Sequence, residues 1–304
     1  MRKYLALILM VFLSACQMRE TPDTEQPSAG ENIGMTVASN APRNGAIAAT
    51  DLTRQYNDTR GNCGTDSKPA FLCRGVMLRA TSASDAYSSW NPSPASVKSG
   101  GVSFSYLSKD SKFTKVYGYK NGLIFYPVLN RPSGTRQVEV LCAFPMDGGT
   151  NNRTAAGCGP HRLDTTGSGP CLTVGIRNSA LWVARWNQYK MGYNMCGFDV
   201  SDAMNSQAGP SFRHTMNAHN EVGFFAGVHD YVEIILKTWP QDIPKELPLQ
   251  AFFYVEGGLS GAQHDQRDYF NKTGGSVMPI IKLTLPTTPA ADAQFTYNPA
   301  DQVK

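Results

Sequence analysis

"FLCRGVMLRAT" (residues 71–81) is an apolar run that carries arginines at 74 and 79. A guanidinium is costly to bury without a partner, so a run that otherwise reads as a core strand must give each arginine a partner or a task. Successive side chains of a strand point to opposite faces. Arg79 therefore follows Phe71, Cys73 and Met77, whereas Arg74 sits with Leu72, Val76 and Leu78. Arg74 lies mid-run beside Cys73 and is read as structural, at an edge or paired within the fold. Arg79 opens the proline-containing stretch that ends in "KSGG" (98–101), and is read as the arginine that meets a substrate.

Outward from this run, strand-like segments follow at 101–107, 122–129, 137–144, 231–239, 247–256 and 276–286. Turn chemistry separates the early ones: "NPSP" from 91, "YKNG" from 119 and "NRPSG" from 130. Pro279 inside the last segment predicts an edge position or a bulge. Residues 51–60 predict a short helix capped by Asp51, with Leu52 and Tyr56 facing inward. Further helices are expected at 178–190, 209–220 and 261–275. In the first of these, Asn178 or Ser179 is the cap, and Leu181, Trp182, Ala184 and Arg185 form the stripe. The pattern is α+β and strand-rich, with short helices and no regular βαβ alternation.

The start of the chain speaks to export. "MRK" is a charged opening, "YLALILMVFL" is an apolar stretch of 10 residues, and "LSAC" (13–16) resembles the lipobox of bacterial lipoproteins. That resemblance implies a signal peptide over 1–15 and lipidation of Cys16. It implies an exported protein held at the outer membrane or cell surface through its lipid, with release from the membrane as the alternative. Residues 17–50 lack apolar periodicity and read as a flexible tether. Residues 51–304 are enough for one folded domain, or for two subdomains dividing near 145–175. The net charge of +4 falls to +2 without Arg2 and Lys3, and no basic run supports nucleic-acid binding.

Six cysteines follow Cys16, an even number that in an oxidising compartment suggests disulfides. Sequence alone leaves the connectivity open. Cys63 with Cys73 is the favoured local pair; Cys142 with Cys158 and Cys171 with Cys196 would staple the glycine-rich segment between 145 and 175. No cysteine pair is spaced as a zinc or redox motif, and His214 and His219 stand at the wrong interval to share a helix face, so no metal site is expected. Phosphate-binding, dinucleotide-binding, zinc-protease and nucleophile-elbow motifs are all absent.

Period-two geometry leaves three polar sets on the strands. Ser103 and Ser105 share one face of 101–107, Gln137 and Glu139 share one face of 137–144, and Arg79 ends the first run. Half-solvated strands alternate in this way for purely structural reasons. Arginine, Ser-x-Ser and [Gln/Glu]-x-Glu in this chain order also resemble the elements of ADP-ribosyltransferase toxins. That resemblance implies a split-sheet fold and chemistry on NAD as substrate, with no separate cofactor. Arg79 and Gln137 would bind, and Ser103, Ser105 and Glu139 would form the catalytic group. A guanidinium suits pyrophosphate, and a carboxylate suits the positive charge that develops when a glycosidic bond breaks. Glu233 in "YVEIILK" and Glu256 in "FFYVEGG" are competing carboxylates. Trp90, Trp182, Trp186 and Trp239 read as core residues or as stacking surfaces.

Longer phrases point further. "LTRQYNDTRGNCG", "KSGGVSFSYL", "CGFDVSDA", "LPLQAFFYVEGG" and "DQRDYFNKTGG" resemble the halovibrin family of secreted bacterial proteins, over about residues 51–300. The resemblance implies hydrolysis of NAD to ADP-ribose and nicotinamide. Two other expectations stand beside it. One is a mono-ADP-ribosyltransferase, in which Gln137 helps to position a protein acceptor. The other is a non-enzymatic surface lipoprotein that binds glycan or protein.

Overall fold

The computed structural model describes residues 44–116, 118–148, 157–159, 169–189, 195–203, 205–222 and 231–304. Cys16, the signal segment, the tether up to residue 43 and most of the glycine-rich segment lie outside the described residues. Among the described residues, no helix is long and apolar enough to cross a membrane.

The strands are β1 (Val76–Ala80), β2 (Gly101–Leu107), β3 (Asn121–Phe125), β4 (Val140–Phe144), β5 (Phe198–Asp199), β6 (Val232–Lys237), β7 (Leu249–Tyr254), β8 (Ile280–Thr284) and β9 (Gln294–Tyr297). They form one nine-stranded sheet in the order β5-β4-β6-β2-β1-β3-β7-β8-β9. The helices are α1 (Gly45–Asn57), α2 (Pro94–Ser99), α3 (Ser179–Tyr189), α4 (Ala208–Val222) and α5 (Leu259–Thr273). Every strand pair is antiparallel except β7 with β8, which α5 connects as a crossover. Strands from both sides of the 145–175 segment alternate in this sheet, so the sheet itself is undivided there.

The pleat gives the sheet two apolar faces. Met77, Phe104, Tyr106, Leu123, Phe125, Ile234 and Phe252 join Phe212 and Met216 of α4 and Tyr269 of α5 in one core. Val76, Leu78, Ile124, Ala251, Phe253 and Ile281 join Leu52 and Tyr56 of α1 in the other. A satellite core forms around Met146, Trp182, Val183 and Phe198, next to the Cys171–Cys196 bridge. The three disulfides are Cys63–Cys73, Cys142–Cys158 and Cys171–Cys196, as local pairing suggested.

Several boundaries differ from the expected ones for identifiable reasons. The first strand begins at Val76 and not at 71, because Ala70–Leu72 form a 3-10 turn after Pro69 and the bridge to Cys63 draws Cys73 out of line. The first helix starts at Gly45, capped by the Asn44 side chain and not by Asp51, so the fold begins before residue 51. In α3, Asn178 accepts from the Leu181 amide at 2.9 Å, but Leu181 faces solvent while Trp182 and Val183 turn inward. Pro279 precedes β8, which is not an edge strand, because β9 covers its outer side. α2 and β9 were not expected: one is a single capped turn and the other a four-residue strand.

Arg74 has the partners its burial requires. Its Nη1 and Nη2 donate to Asp110 Oδ1 and Oδ2 at 2.8 and 2.7 Å, Nη1 also donates to the Asp58 carbonyl at 2.9 Å, and Nε donates to the Arg60 carbonyl. Burial alone would push the Asp110 carboxyl up, but the hydrogen bonds and charge of Arg74 outweigh it and hold it low. Arg74 therefore ties the 58–60 and 108–111 segments together and is structural.

Candidate functional site

The sheet divides where Arg79 stands. β1 pairs with β2 only from Val76↔Leu107 to Leu78↔Ser105, while Arg79 and Ala80 pair with β3 alone. From Ser103 to Gly101, β2 pairs with β6 alone. The two strands thus part after Leu78 and Ser105, which leaves backbone groups without ladder partners. The register places Arg79 opposite Leu123, on the face that α4 and α5 cover, yet its guanidinium reaches across the gap. Nη1 donates to the Ser103 carbonyl at 3.2 Å, and the enclosed Nε has no hydrogen-bond partner. Burial pulls the Arg79 pKa down, while Tyr87, Tyr119, Tyr231 and Glu233 act in the opposite direction. A guanidinium keeps its charge at neutral pH under such a shift.

On the far side of the gap, Ser105 stands directly opposite Glu233 in the β2–β6 ladder. Directly opposite residues of an antiparallel pair share one face with their Cβ atoms about 5 Å apart. Glu233 is 2% exposed, and its Oε2 accepts from the Gly148 amide at 2.7 Å. Two residues earlier on the same face, the Tyr231 hydroxyl donates to Asp147 Oδ2 at 3.0 Å. The segment after β4 thereby orients both Tyr231 and Glu233. Arg79 on β1, Ser103 and Ser105 on β2 and the buried Glu233 on β6 thus flank the opening of the sheet, the arginine rooted on the α4/α5 face and the other three on the α1 face.

Of the residues picked from sequence, Arg79 touches the Ser103 backbone and the Ser103 and Ser105 side chains share the opposite face of the sheet; Gln137 and Glu139 do not join them. Both are exposed, before β4 begins. Glu139 Oε2 accepts from Lys237 Nζ at 2.8 Å, and its carbonyl accepts from the Lys237 amide. Lys237 is four residues along β6 from Glu233, roughly 13 Å at the strand rise. Gln137 and Glu139 instead line a separate cavity of about 470 Å³ with Leu72, Val128 and Asp202. The expected cleft between Arg79 and Glu139 is therefore not formed: Glu139 pairs with Lys237, and the carboxylate whose charge acts on Arg79 is Glu233. The Gln-x-Glu pattern was misleading because it belongs to a solvated strand entry, whereas the "YVE" of β6 lies next to β2. Sequence order does not give that adjacency.

The other candidates resolve similarly. Glu256 is exposed in the turn after β7. Trp90, Trp182 and Trp239 are buried and belong to the cores, Trp90 donating to Asp268 Oδ2 at 3.0 Å and Trp182 to the Cys196 carbonyl at 3.0 Å. Among the described residues, no three His, Cys, Asp or Glu side chains are grouped to hold a metal ion. No protein-family model matches the chain, and no curated protein matches it in sequence.

Proposed function

We propose that this chain is an exported, lipid-anchored NAD glycohydrolase whose reaction takes place at the opening between β1 and β2. The observation that carries this reading is that Arg79 reaches from β1 to the Ser103 carbonyl at the opening, where Ser105 stands opposite the buried Glu233. The resemblance of the long phrases to the halovibrins supports the same chemistry, and "LSAC" supports the anchor at Cys16.

Each residue has a physical role in this reading. Arg79 offers guanidinium N–H groups, including the unpaired Nε, to the pyrophosphate of the dinucleotide. Ser103 and Ser105 offer hydroxyls to the nicotinamide ribose. Glu233 places negative charge beside C1′, where positive charge develops as the bond to nicotinamide breaks. Its bond from the Gly148 amide fixes the carboxylate before the substrate arrives. Water then adds to C1′, the C–O bond forms, and ADP-ribose leaves with the proton passed to solvent.

Incubation of the purified, oxidised full chain with NAD labelled in its adenylate half tests this reading. Free ADP-ribose and nicotinamide in equal amounts are expected. Label retained on protein would identify a transferase instead. An absence of both products, together with a melting temperature that NAD does not raise, would leave a binding lipoprotein.

A further inference from the structure

The Arg79 strand continues into a loop, residues 81–89, whose two ends meet at one buried carboxylate. Asp265 of α5 is 1% exposed. Its Oδ1 accepts from the Ser89 hydroxyl, and its Oδ2 accepts from Asn121 Nδ2 at 2.8 Å. Asn121 holds the other end of the loop: its Nδ2 also donates to the Thr81 carbonyl at 3.3 Å, and its own carbonyl accepts from the Thr81 amide at 3.0 Å. A carboxyl group carries two oxygens, so each donor has its own, whereas an amide or a hydroxyl offers a single oxygen. Between the two ends, Ser84 and Tyr87 exchange backbone hydrogen bonds, and Tyr87 is among the groups close enough to Arg79 to act on its charge.

Glycines allow this approach. A Cβ on Gly261, in the first turn of α5, would stand 2.3 Å from Asn121 Oδ1. A Cβ on Gly122 would stand 1.9 Å from the Arg79 carbonyl. Glycine within a helix or strand is destabilising, so the two positions favour close contact, with the Asn121 side chain and with the Arg79 backbone, over local propensity. Asn121 is thus seated against α5 on one side, and its neighbour is seated against the backbone of Arg79 on the other.

We propose that Asp265 is a positioning residue for the Arg79 site. It clips both ends of the 81–89 loop to α5 and fixes the β3 residues on which the Arg79 backbone rests. Tyr87 and the guanidinium are thereby held at the opening of the sheet before a dinucleotide binds. The proposal rests on the reading of Arg79 as the residue that binds NAD.

Hydrogen exchange and steady-state kinetics on the full chain test it together. In Asp265→Ala, amides 79–89 should exchange about tenfold faster, the loss expected for one buried side-chain hydrogen bond. The KM for NAD should rise about tenfold while kcat falls less than about threefold, since positioning for binding is what is lost. Ser89→Ala removes one donor without touching the carboxylate and should give a smaller effect of the same kind. It serves as the test if Asp265→Ala does not fold. Added to Asp265→Ala, it should cause no further rise in KM. Unchanged exchange over 79–89 in both variants would overturn the clip, whatever the enzymology. Faster exchange with unchanged KM would overturn its role at the site. A wild-type chain that releases no nicotinamide would overturn the reading of Arg79 beneath the proposal, and the exchange data would then decide on the clip alone.

Discussion

Ser105 and Glu233 stand directly opposite one another on adjacent antiparallel strands, at the point where β1 leaves β2. Ser105 is 8% exposed, and its side chain shares a face with Glu233. Ser105→Ala should fold normally, because alanine fits a β position and leaves no large cavity. Nicotinamide release should fall by about tenfold or more, as for the loss of a hydroxyl that orients a reacting group. Full activity in this variant would remove Ser105 from the site.

The two arginines of the opening run should fail in opposite ways. Arg74→Met leaves Asp110 without its bidentate partner and should cost about 3 kcal/mol in chemical denaturation. The lower end of the usual range applies because the Asp110 side chain is 33% exposed. Activity per folded molecule should be unchanged. Arg79→Lys should preserve stability far better but raise the KM for NAD about tenfold or more, since an ammonium cannot span two acceptors as a guanidinium does. Equal stability losses in the two variants would contradict this division of roles.

Asp265 also makes stability depend on pH. Burial raises its pKa to about 7, against the opposing hydrogen bonds from Ser89 and Asn121, and Asp268 adds to the rise. A carboxyl raised on folding binds its proton more tightly in the folded state. Its contribution is full below the unfolded pKa near 4 and is lost as pH rises through about 7. The stability of wild type relative to Asp265→Asn should therefore fall by roughly 2–3 kcal/mol between pH 5 and pH 8. Parallel stability curves for the two proteins would contradict an unusually protonated Asp265.

The Cys171–Cys196 bridge closes 25 residues and ties the turn before α3 to the strand entry at β5. Replacing both cysteines by serine should destabilise the protein by about 3 kcal/mol, mostly through freedom regained by the unfolded chain. Trp182 donates to the Cys196 carbonyl, so its fluorescence should report the loosening before the main sheet unfolds. A change in melting temperature with no early change at Trp182 would place the effect elsewhere.

Local signals in the sequence were informative where one element decides the outcome. The run 101–107 matches β2 in full, and Leu52 and Tyr56 point inward from α1. Near neighbours in sequence gave the three cysteine pairs. That Arg79 and the Ser-x-Ser pair lie on neighbouring strands was legible because β1 and β2 are consecutive strands that pair. Glu233 was not, because β6 reaches β2 from more than a hundred residues away, and only the sheet order makes them neighbours. Gln137 and Glu139 carried the more recognisable spacing. Their alternation records exposure at the entry to β4, and Glu139 has Lys237 as its partner.

The most direct measurement compares nicotinamide release from NAD by the wild-type chain, Glu233→Gln and Glu139→Gln, all purified oxidised and confirmed as folded. Wild type and Glu139→Gln should release nicotinamide at similar rates, while Glu233→Gln should be slower by about a hundredfold or more. No release by wild type, or a loss confined to Glu139→Gln, would contradict the account.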